Sequence, residues 1–235
     1  MSLIDRKRSI LITGGSKGIG LASATRLANQ DHNVVILSRT PPLVSHDNMS
    51  WIEVDVSNLE KTEKHLPVIA KDHNIDALVS NAGHPSFGNI EEWSAQQISN
   101  HLRTNLVSHM VVTSALIPHL RSQKSSDVIL MGSISAVKPG KKASVYIAAK
   151  AGLKGFASAL RYEASSKGVR VSLLQPGMVL TDFYKTQGFA PGPKDTEHLK
   201  PDDVAQMVEH VLSAPPWVVF DECTFSPLNH VVRKS

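Results

Sequence analysis

The 235-residue sequence predicts an α/β fold, one doubly wound parallel sheet with helices on both faces. Three observations predict it. Short apolar runs alternate with longer segments of helical period, the pattern of strands joined by right-handed helical crossovers. The runs are continuously apolar, as strands buried on both faces are. No internal repeat, linker or low-complexity tract interrupts the pattern, so residues 1–235 read as a single domain.

Ser9-Ile10-Leu11-Ile12-Thr13 reads as the first strand, and Ile19, Ala22, Leu27 and Ala28 mark the helix that follows it to about Asn29. Residues 33–38 form a second strand and 51–54 a third, with a helix over 58–71. Strand four is 76–79. Helices near 91–104 and 106–122 precede strand five at 127–131. A long helix over 145–166 leads to strand six at 169–174. The Gly/Pro-rich stretch 176–201 carries no predicted element. A helix near 202–212 and a strand near 222–226 complete the pattern.

Composition excludes several functions. Lysine and arginine number 25 against 21 acidic residues, a charge of +4 that is not gathered into blocks. Such a dispersed excess points to anionic small molecules and away from a nucleic-acid partner. Six Phe, three Trp and three Tyr leave little for a base-stacking platform. Cys223 stands alone, so no internal disulfide is expected. No apolar run approaches the roughly 18 residues that span a bilayer. The chain from Met1 to Arg8 enters the first strand without room for a signal peptide, and residues 231–235 match no retention or lipidation signal. A cytoplasmic protein with no membrane partner is expected.

After the first strand comes Thr13-Gly14-Gly15-Ser16-Lys17-Gly18-Ile19-Gly20, running directly into a helix. Glycines there let the backbone turn sharply and approach a pyrophosphate, while the helix N-terminus supplies free N–H groups and positive partial charge. A Walker-type loop is excluded, because no Gly-Lys-Ser/Thr follows at the required spacing. The segment resembles the TGxxxGxG loop of the short-chain dehydrogenase/reductase family. Three further family motifs recur in order: Ser80-Asn81-Ala82-Gly83, then Ser133 with Tyr146-Ile147-Ala148-Ala149-Lys150, then Pro176-Gly177. The resemblance runs from Arg8 to about Pro227 and implies a Rossmann-type oxidoreductase that works with a nicotinamide dinucleotide.

In a Rossmann domain an acidic residue ending strand two binds the ribose of NAD, whereas an arginine nearby accommodates the extra phosphate of NADP. Here the strand ends Leu37-Ser38-Arg39-Thr40, with no carboxylate at its tip. Arg39 and Lys17 converging on one dianion favour NADP(H) through charge-assisted hydrogen bonds. The resemblance also puts Gly14, Ser16, Gly18, Ile19 and Gly20 at the phosphates, Ser38 beside Arg39, and Asp55-Val56 at the adenine. Asp55 is equally suited to cap the helix starting near Ser57. Asn81, Ala82 and Gly83 would support the cofactor's inner face, where Ser80 replaces the family's more frequent Asn. In Pro176-Gly177-Met178-Val179-Leu180-Thr181, the Val179 backbone and the Thr181 hydroxyl would meet the carboxamide.

Hydride transfer to a carbonyl builds negative charge on oxygen, so the site must donate a proton there. A tyrosine of pKa about 10 is a poor base at neutral pH, and a nearby cation lowers that value. Tyr146 and Lys150 are four apart on a predicted helix, so they share a face. The resemblance makes Ser133 the residue that polarises the substrate oxygen. It makes Asn105, in Thr104-Asn105-Leu106, the residue holding a water that links Lys150 to solvent.

Eleven histidines are scattered without HxH or HExxH pairing, so no metal is expected. His84 reads as a solvent-exposed loop residue, with a substrate-facing place as the alternative. Cys223 fits a buried strand position. The Asn48-Met49-Ser50 glycosylation pattern has no secretory context. Residues 182–200 fall where the family carries its substrate lid, and Phe183, Tyr184 and Phe189 suit a cover over an apolar ligand. Small residues at 148, 149, 151, 152, 155, 157 and 159 let the long helix approach the sheet or a second subunit closely; the resemblance implies a homodimer or homotetramer.

The expected function is that of an NADP(H)-dependent carbonyl reductase or alcohol dehydrogenase acting on a small-molecule carbonyl or alcohol. A catalytically silent dinucleotide sensor or interaction protein, and an NAD-dependent alcohol dehydrogenase, are the alternatives.

Overall fold

A computed structural model describes residues 6–138 and 140–234. In chain order its strands are β1 (Ser9–Thr13), β2 (Asn33–Ser38), β3 (Met49–Glu53), β4 (Ala77–Ser80), β5 (Ser126–Met131), β6 (Val169–Pro176), β7 (Phe189–Pro191), β8 (Glu222–Phe225) and β9 (Val232–Lys234). The helices are α1 (Gly18–Ala28), α2 (Leu59–Asp72), α3 (Ala95–Leu102), α4 (Ser108–Leu120), α5 (Ser144–Ser165) and α6 (Pro201–Ser213). Seven strands form one parallel sheet in the order β3-β2-β1-β4-β5-β6-β8. Succession runs outward from β1 one way and from β4 the other, which opens a crevice at their carboxyl ends.

Both faces of the sheet are buried, and the two-residue period of the strands divides their side chains between two cores. Leu11, Leu37, Leu78, Leu130 and Leu173 pack with Leu66 of α2, Leu116 of α4 and Leu153 of α5. Ile10, Ile12, Ile36, Val79 and Ile129 pack with Leu27 of α1 and Val208 of α6. This explains why the strands read as unbroken apolar runs. At the amino ends of the strands, Arg8 pairs with Asp76 at 2.8 Å and Asp127 at 2.9 Å, and Arg170 pairs with Asp127 at 2.8 Å. This buried network ties four strand entrances together at the end opposite the crevice.

The two helices expected near 91–104 and 106–122 are one helical path interrupted differently. Ile90–Glu92 forms a short 3-10 turn, and α3 starts only at Ala95, where Ser94 and Gln97 make a capping box. No break occurs at Asn105; Arg103–Val107 instead widens into a π-turn that joins α3 to α4. Such widened turns concentrate at functional sites, because they re-aim one side chain without ending the helix. The third strand starts two residues earlier than expected, at Met49, through its pairing with Val34. Strands β7 and β9 were not expected. They pair antiparallel, Phe189 opposite Lys234 and Pro191 opposite Val232, in a separate two-stranded sheet. Among the described residues, no helix is long and apolar enough to cross a membrane.

Candidate active site

The glycine loop has the shape a phosphate cradle requires. Gly14 has φ +70°, and a Cβ there would lie 2.9 Å from the Ala82 Cα. At Gly20 a Cβ would fall 2.3 Å from the Gly14 carbonyl oxygen, so α1 can start this close only because the residue is glycine. Lys17 is the N-cap of α1 and makes no side-chain cap bond, which leaves the first amides of the helix without a side-chain partner. Ser16 and Ile19 are half-buried on either side of it. The loop is braced from β4: Thr13 Oγ1 accepts from the amides of Asn81 at 2.9 Å and Ala82 at 3.0 Å, and Asn81 Nδ2 donates to the Thr13 and Gly14 carbonyls. Thr181 closes the far side, since a Cβ on Gly18 would sit 3.5 Å from its methyl group.

The other side of the crevice joins the ends of β2 and β3. Ser38 is buried and donates to the Thr40 carbonyl at 2.7 Å, while Arg39 is exposed. The amide of Leu43 donates to the Ser16 carbonyl at 3.4 Å, tying the Arg39 segment to the glycine loop. Asp55 does not cap α2; Asn58 does, accepting from the Lys61 amide at 3.3 Å. Asp55 instead accepts from the Ser57 amide and hydroxyl at 2.9 and 2.7 Å. Burial pushes its carboxyl up, but these bonds and then Arg39 outweigh it and hold the group below its ordinary value. Val56 is buried in the core beside it. In the remaining expected segment, Pro176 ends β6 opposite Phe225, the Gly177 amide donates to the Phe225 carbonyl at 2.8 Å, and Val179 is buried in a bridge to Leu199.

Ser133, Tyr146 and Lys150 come together at the carboxyl end of β5 and the first turns of α5, all three buried. Ser133 Oγ accepts from the Ser135 amide at 3.1 Å and lies near enough to the Tyr146 phenol to favour its ionised form. The Lys150 ammonium donates to the Met131 carbonyl at 2.9 Å and stands 5.9 Å from the centre of the Tyr146 ring. The expected lowering of the tyrosine pKa does not occur in this state. Burial pushes the phenol up to about 12, with the neighbouring Ser133 opposing it, and burial lowers the Lys150 ammonium to about 8. The ammonium is bonded to a strand carbonyl, so desolvation of the phenol is not offset by it.

Asn105 is fully buried inside the π-turn, where it holds the loop after β4: its amide donates to the His84 carbonyl at 3.2 Å, and its carbonyl accepts from the His84 amide at 3.2 Å. A Cβ on Gly83 would lie 2.9 Å from that carbonyl, so Gly83 is what lets the loop close on Asn105. His84 is not the free surface residue expected. It is half-buried, its ring packs edge-on to His101 at 5.0 Å, and burial lowers its pKa.

Two residues that the sequence reading passed over belong here. His101 is buried 6.0 Å from the Tyr146 ring, with burial, His84 and Lys150 lowering it to about 4. His109 shares a 2.8 Å hydrogen bond with Ser80, and burial and Lys150 lower it to about 3. The imidazole thus supplies the short Ser80 side chain with a partner. The four-residue spacing of His101, Asn105 and His109 was the available signal, one buried polar stripe along a helix. Next to the Tyr146 ring, Phe87 lies at 5.2 Å and Phe183, in the segment 182–200, at 6.3 Å between ring centres. Cys223 is only half-buried in β8.

A parallel sheet with a glycine loop at its switch point, and a Ser–Tyr–Lys group beside it, defines a Rossmann-type oxidoreductase. The chain belongs to the short-chain dehydrogenase family, whose model, described as short chain dehydrogenase, matches residues 8–190. It is 26% identical over 236 residues to an uncharacterised oxidoreductase of Staphylococcus aureus (strain USA300), covering 97% of this chain and 100% of the relative. A similarly named relative from Staphylococcus epidermidis is 27% identical over 231 residues, covering 95% and 98%. Among solved structures, serine dehydrogenase from Escherichia coli superposes with a TM-score of 0.78 at 26% identity, over 92% of this chain and 96% of that one. The ligand-free aldohexose dehydrogenase of Thermoplasma acidophilum shares the fold, with a TM-score of 0.84 at 23% identity over 95% and 94%. Enzymes of this family work with nicotinamide dinucleotides.

Proposed function

We propose that the chain, acting as one domain, is an NADP(H)-dependent carbonyl reductase or alcohol dehydrogenase. One observation carries the reading: Ser133, Tyr146 and Lys150 are buried together where β5 meets α5, with the Lys150 ammonium 5.9 Å from the Tyr146 ring centre. The glycine loop fits the cofactor, because the Gly14 and Gly20 positions have no room for a Cβ and the α1 amides are uncapped. Gly14, Ser16, Lys17, Gly18, Ile19 and Gly20 would hold its phosphates. Asn81, Ala82, Gly83, Pro176, Gly177, Val179 and Thr181 would flank its nicotinamide half. Ser38, Arg39, Asp55 and Val56 would flank its adenine half. The preference for NADP(H) rests on Arg39, exposed at the end of β2 where no carboxylate stands, and on Lys17.

When bound, the cofactor supplies or accepts the hydride. The chain manages the proton. Tyr146 is protonated in its buried setting and gives its proton to the carbonyl oxygen. Ser133 donates a hydrogen bond to the same oxygen, and the Lys150 ammonium stabilises the phenolate that remains. Asn105 positions the loop bearing Gly83 and, as a water-holding residue, would return a proton towards Lys150. The exposed face of α5, with Ala148, Ala151, Gly155 and Ala159 outward, suits close packing against a second copy in a homodimer or homotetramer.

The test is NADPH consumption by the purified protein against a library of aldehydes, ketones and quinones, with NADP+ reduction by alcohols as the reverse assay. Turnover of a carbonyl or an alcohol is expected. Silence across both panels would leave a nucleotide-binding protein without catalysis.

A further inference from the structure

Five aromatic rings form a closed circuit over the site. Starting from Tyr146, Phe87 lies at 5.2 Å between ring centres, Phe189 at 5.1 Å from Phe87, Tyr184 at 5.5 Å from Phe189, Phe183 at 5.3 Å from Tyr184, and Tyr146 again at 6.3 Å from Phe183. The rings cross at 49° to 75°, the tilted and edge-to-face arrangements that aromatic pairs favour. They come from remote places: the loop after β4, α5, the turn Asp182–Tyr184 and β7. Phe189 is held there because β7 pairs with β9 at the other end of the chain.

The circuit is electrically neutral. Burial and the neighbouring Tyr146 push the Tyr184 phenol up, so it keeps its proton. The two charged side chains nearest in sequence, Asp182 and Lys185, pair with each other at 2.7 Å on the solvent side, 51% and 71% exposed. His101, beneath Tyr146, is neutral at physiological pH for the same reason of burial.

We propose that this circuit is the substrate pocket, and that the substrate is a neutral, ring-bearing carbonyl compound such as an aryl ketone or aromatic aldehyde. The inference rests on the hydride-transfer reading above. A ligand entering between the rings must part them. An aromatic ligand replaces ring–ring contacts with ring–ring contacts, whereas a polyol or carboxylate would leave polar groups facing partly buried apolar rings that offer them few partners. Only the carbonyl oxygen needs donors, and Tyr146 with Ser133 supplies them. The carbonyl carbon receives the hydride, with its two electrons, from NADPH; the oxygen receives the Tyr146 proton; the products are the alcohol and NADP+. Phe87, Phe183, Tyr184 and Phe189 are thereby specificity-determining residues.

The test uses the full-length protein, with Phe87→Leu and Phe189→Leu chosen to keep apolar volume. With NADPH present, kcat/KM for acetophenone and benzaldehyde should exceed that for pyruvate and D-glucose by about tenfold or more. Both variants should lower that ratio through KM. Titration calorimetry, which needs no turnover, should register acetophenone binding that weakens in the variants. A preference for pyruvate or glucose, or an unchanged ratio in both variants, would overturn the pocket while leaving hydride transfer intact. If no carbonyl is turned over but acetophenone binds and the variants weaken it, the pocket stands and the proposed reaction falls. If acetophenone neither binds nor reacts, the pocket is refuted.

Discussion

The Lys150 ammonium is bonded to the Met131 carbonyl at 2.9 Å, so the cation one helical turn from Tyr146 is fixed by the last residue of β5. An ammonium has three donors, and this bond uses one while setting the direction of the other two. The lysine is therefore placed by the strand, and its charge is sensitive to the burial that lowers it to about 8.

That value sets a pH profile. The proposed carbonyl reduction would need the phenol protonated and the ammonium charged. As pH rises through about 8 Lys150 loses its proton, so kcat/KM for reduction should fall there, well before the phenol titrates near 12. Lys150→Arg, whose guanidinium stays charged, should carry the falling limb to higher pH. A profile flat to pH 10 in the unsubstituted enzyme would remove Lys150 from this role.

Tyr146→Phe should lower turnover by about 10² to 10⁴, the usual worth of a general acid, and leave NADPH affinity nearly unchanged. Fluorescence titration with NADPH alongside steady-state rates separates the two effects. Near-normal rates in this variant would show that the proton comes from elsewhere.

Arg39→Asp should move the ratio of kcat/KM for NADPH over NADH towards NADH. It replaces the cation at the end of β2 with a ribose acceptor and repels the extra phosphate. An unmoved ratio would mean that neither Arg39 nor its neighbourhood reads that phosphate.

His101 and His109 make stability fall with acid. Both titrate at 6.5 when unfolded and are lowered in the folded chain, to about 4 and about 3. Below pH 6.5 the unfolded chain binds protons that the native state refuses. Each histidine thus costs about 1.4 kcal/mol per pH unit as pH falls towards the folded value. Their contribution is fully present above pH 6.5. Urea unfolding at pH 7, 6 and 5 measures the slope, and His109→Gln should reduce it by about one proton whatever it does to stability at pH 7. A variant slope equal to the parent's would contradict the buried, neutral state of His109.

Much of the fold was legible, because buried parallel strands demand continuous apolar runs and turns demand particular residues. Residues 9–13 were placed to the residue, and the glycine loop opened α1 where its spacing put it. The misplacements have physical causes. Arg103–Val107 reads as ordinary helix because a π-turn is made by what packs around it, here Asn105 clamped to His84. Strand β7, only three residues long and ending in Pro191, exists through its partner β9 some forty residues on. Asp55 lost the capping role to Asn58 because its oxygen is taken by Ser57.

What the sequence determined by itself was the set of requirements that act locally along the chain: which runs bury, where glycine alone fits, and which phenol and amine share a helix face. Only the tertiary structure decided that desolvation raises the Tyr146 phenol, that two histidines line the interior beside Asn105, and that four rings from distant segments join that of Tyr146 in one cluster. Those outcomes depend on how much water each group loses and on which remote side chain it meets, quantities that exist only once the sheet has brought its strand ends together.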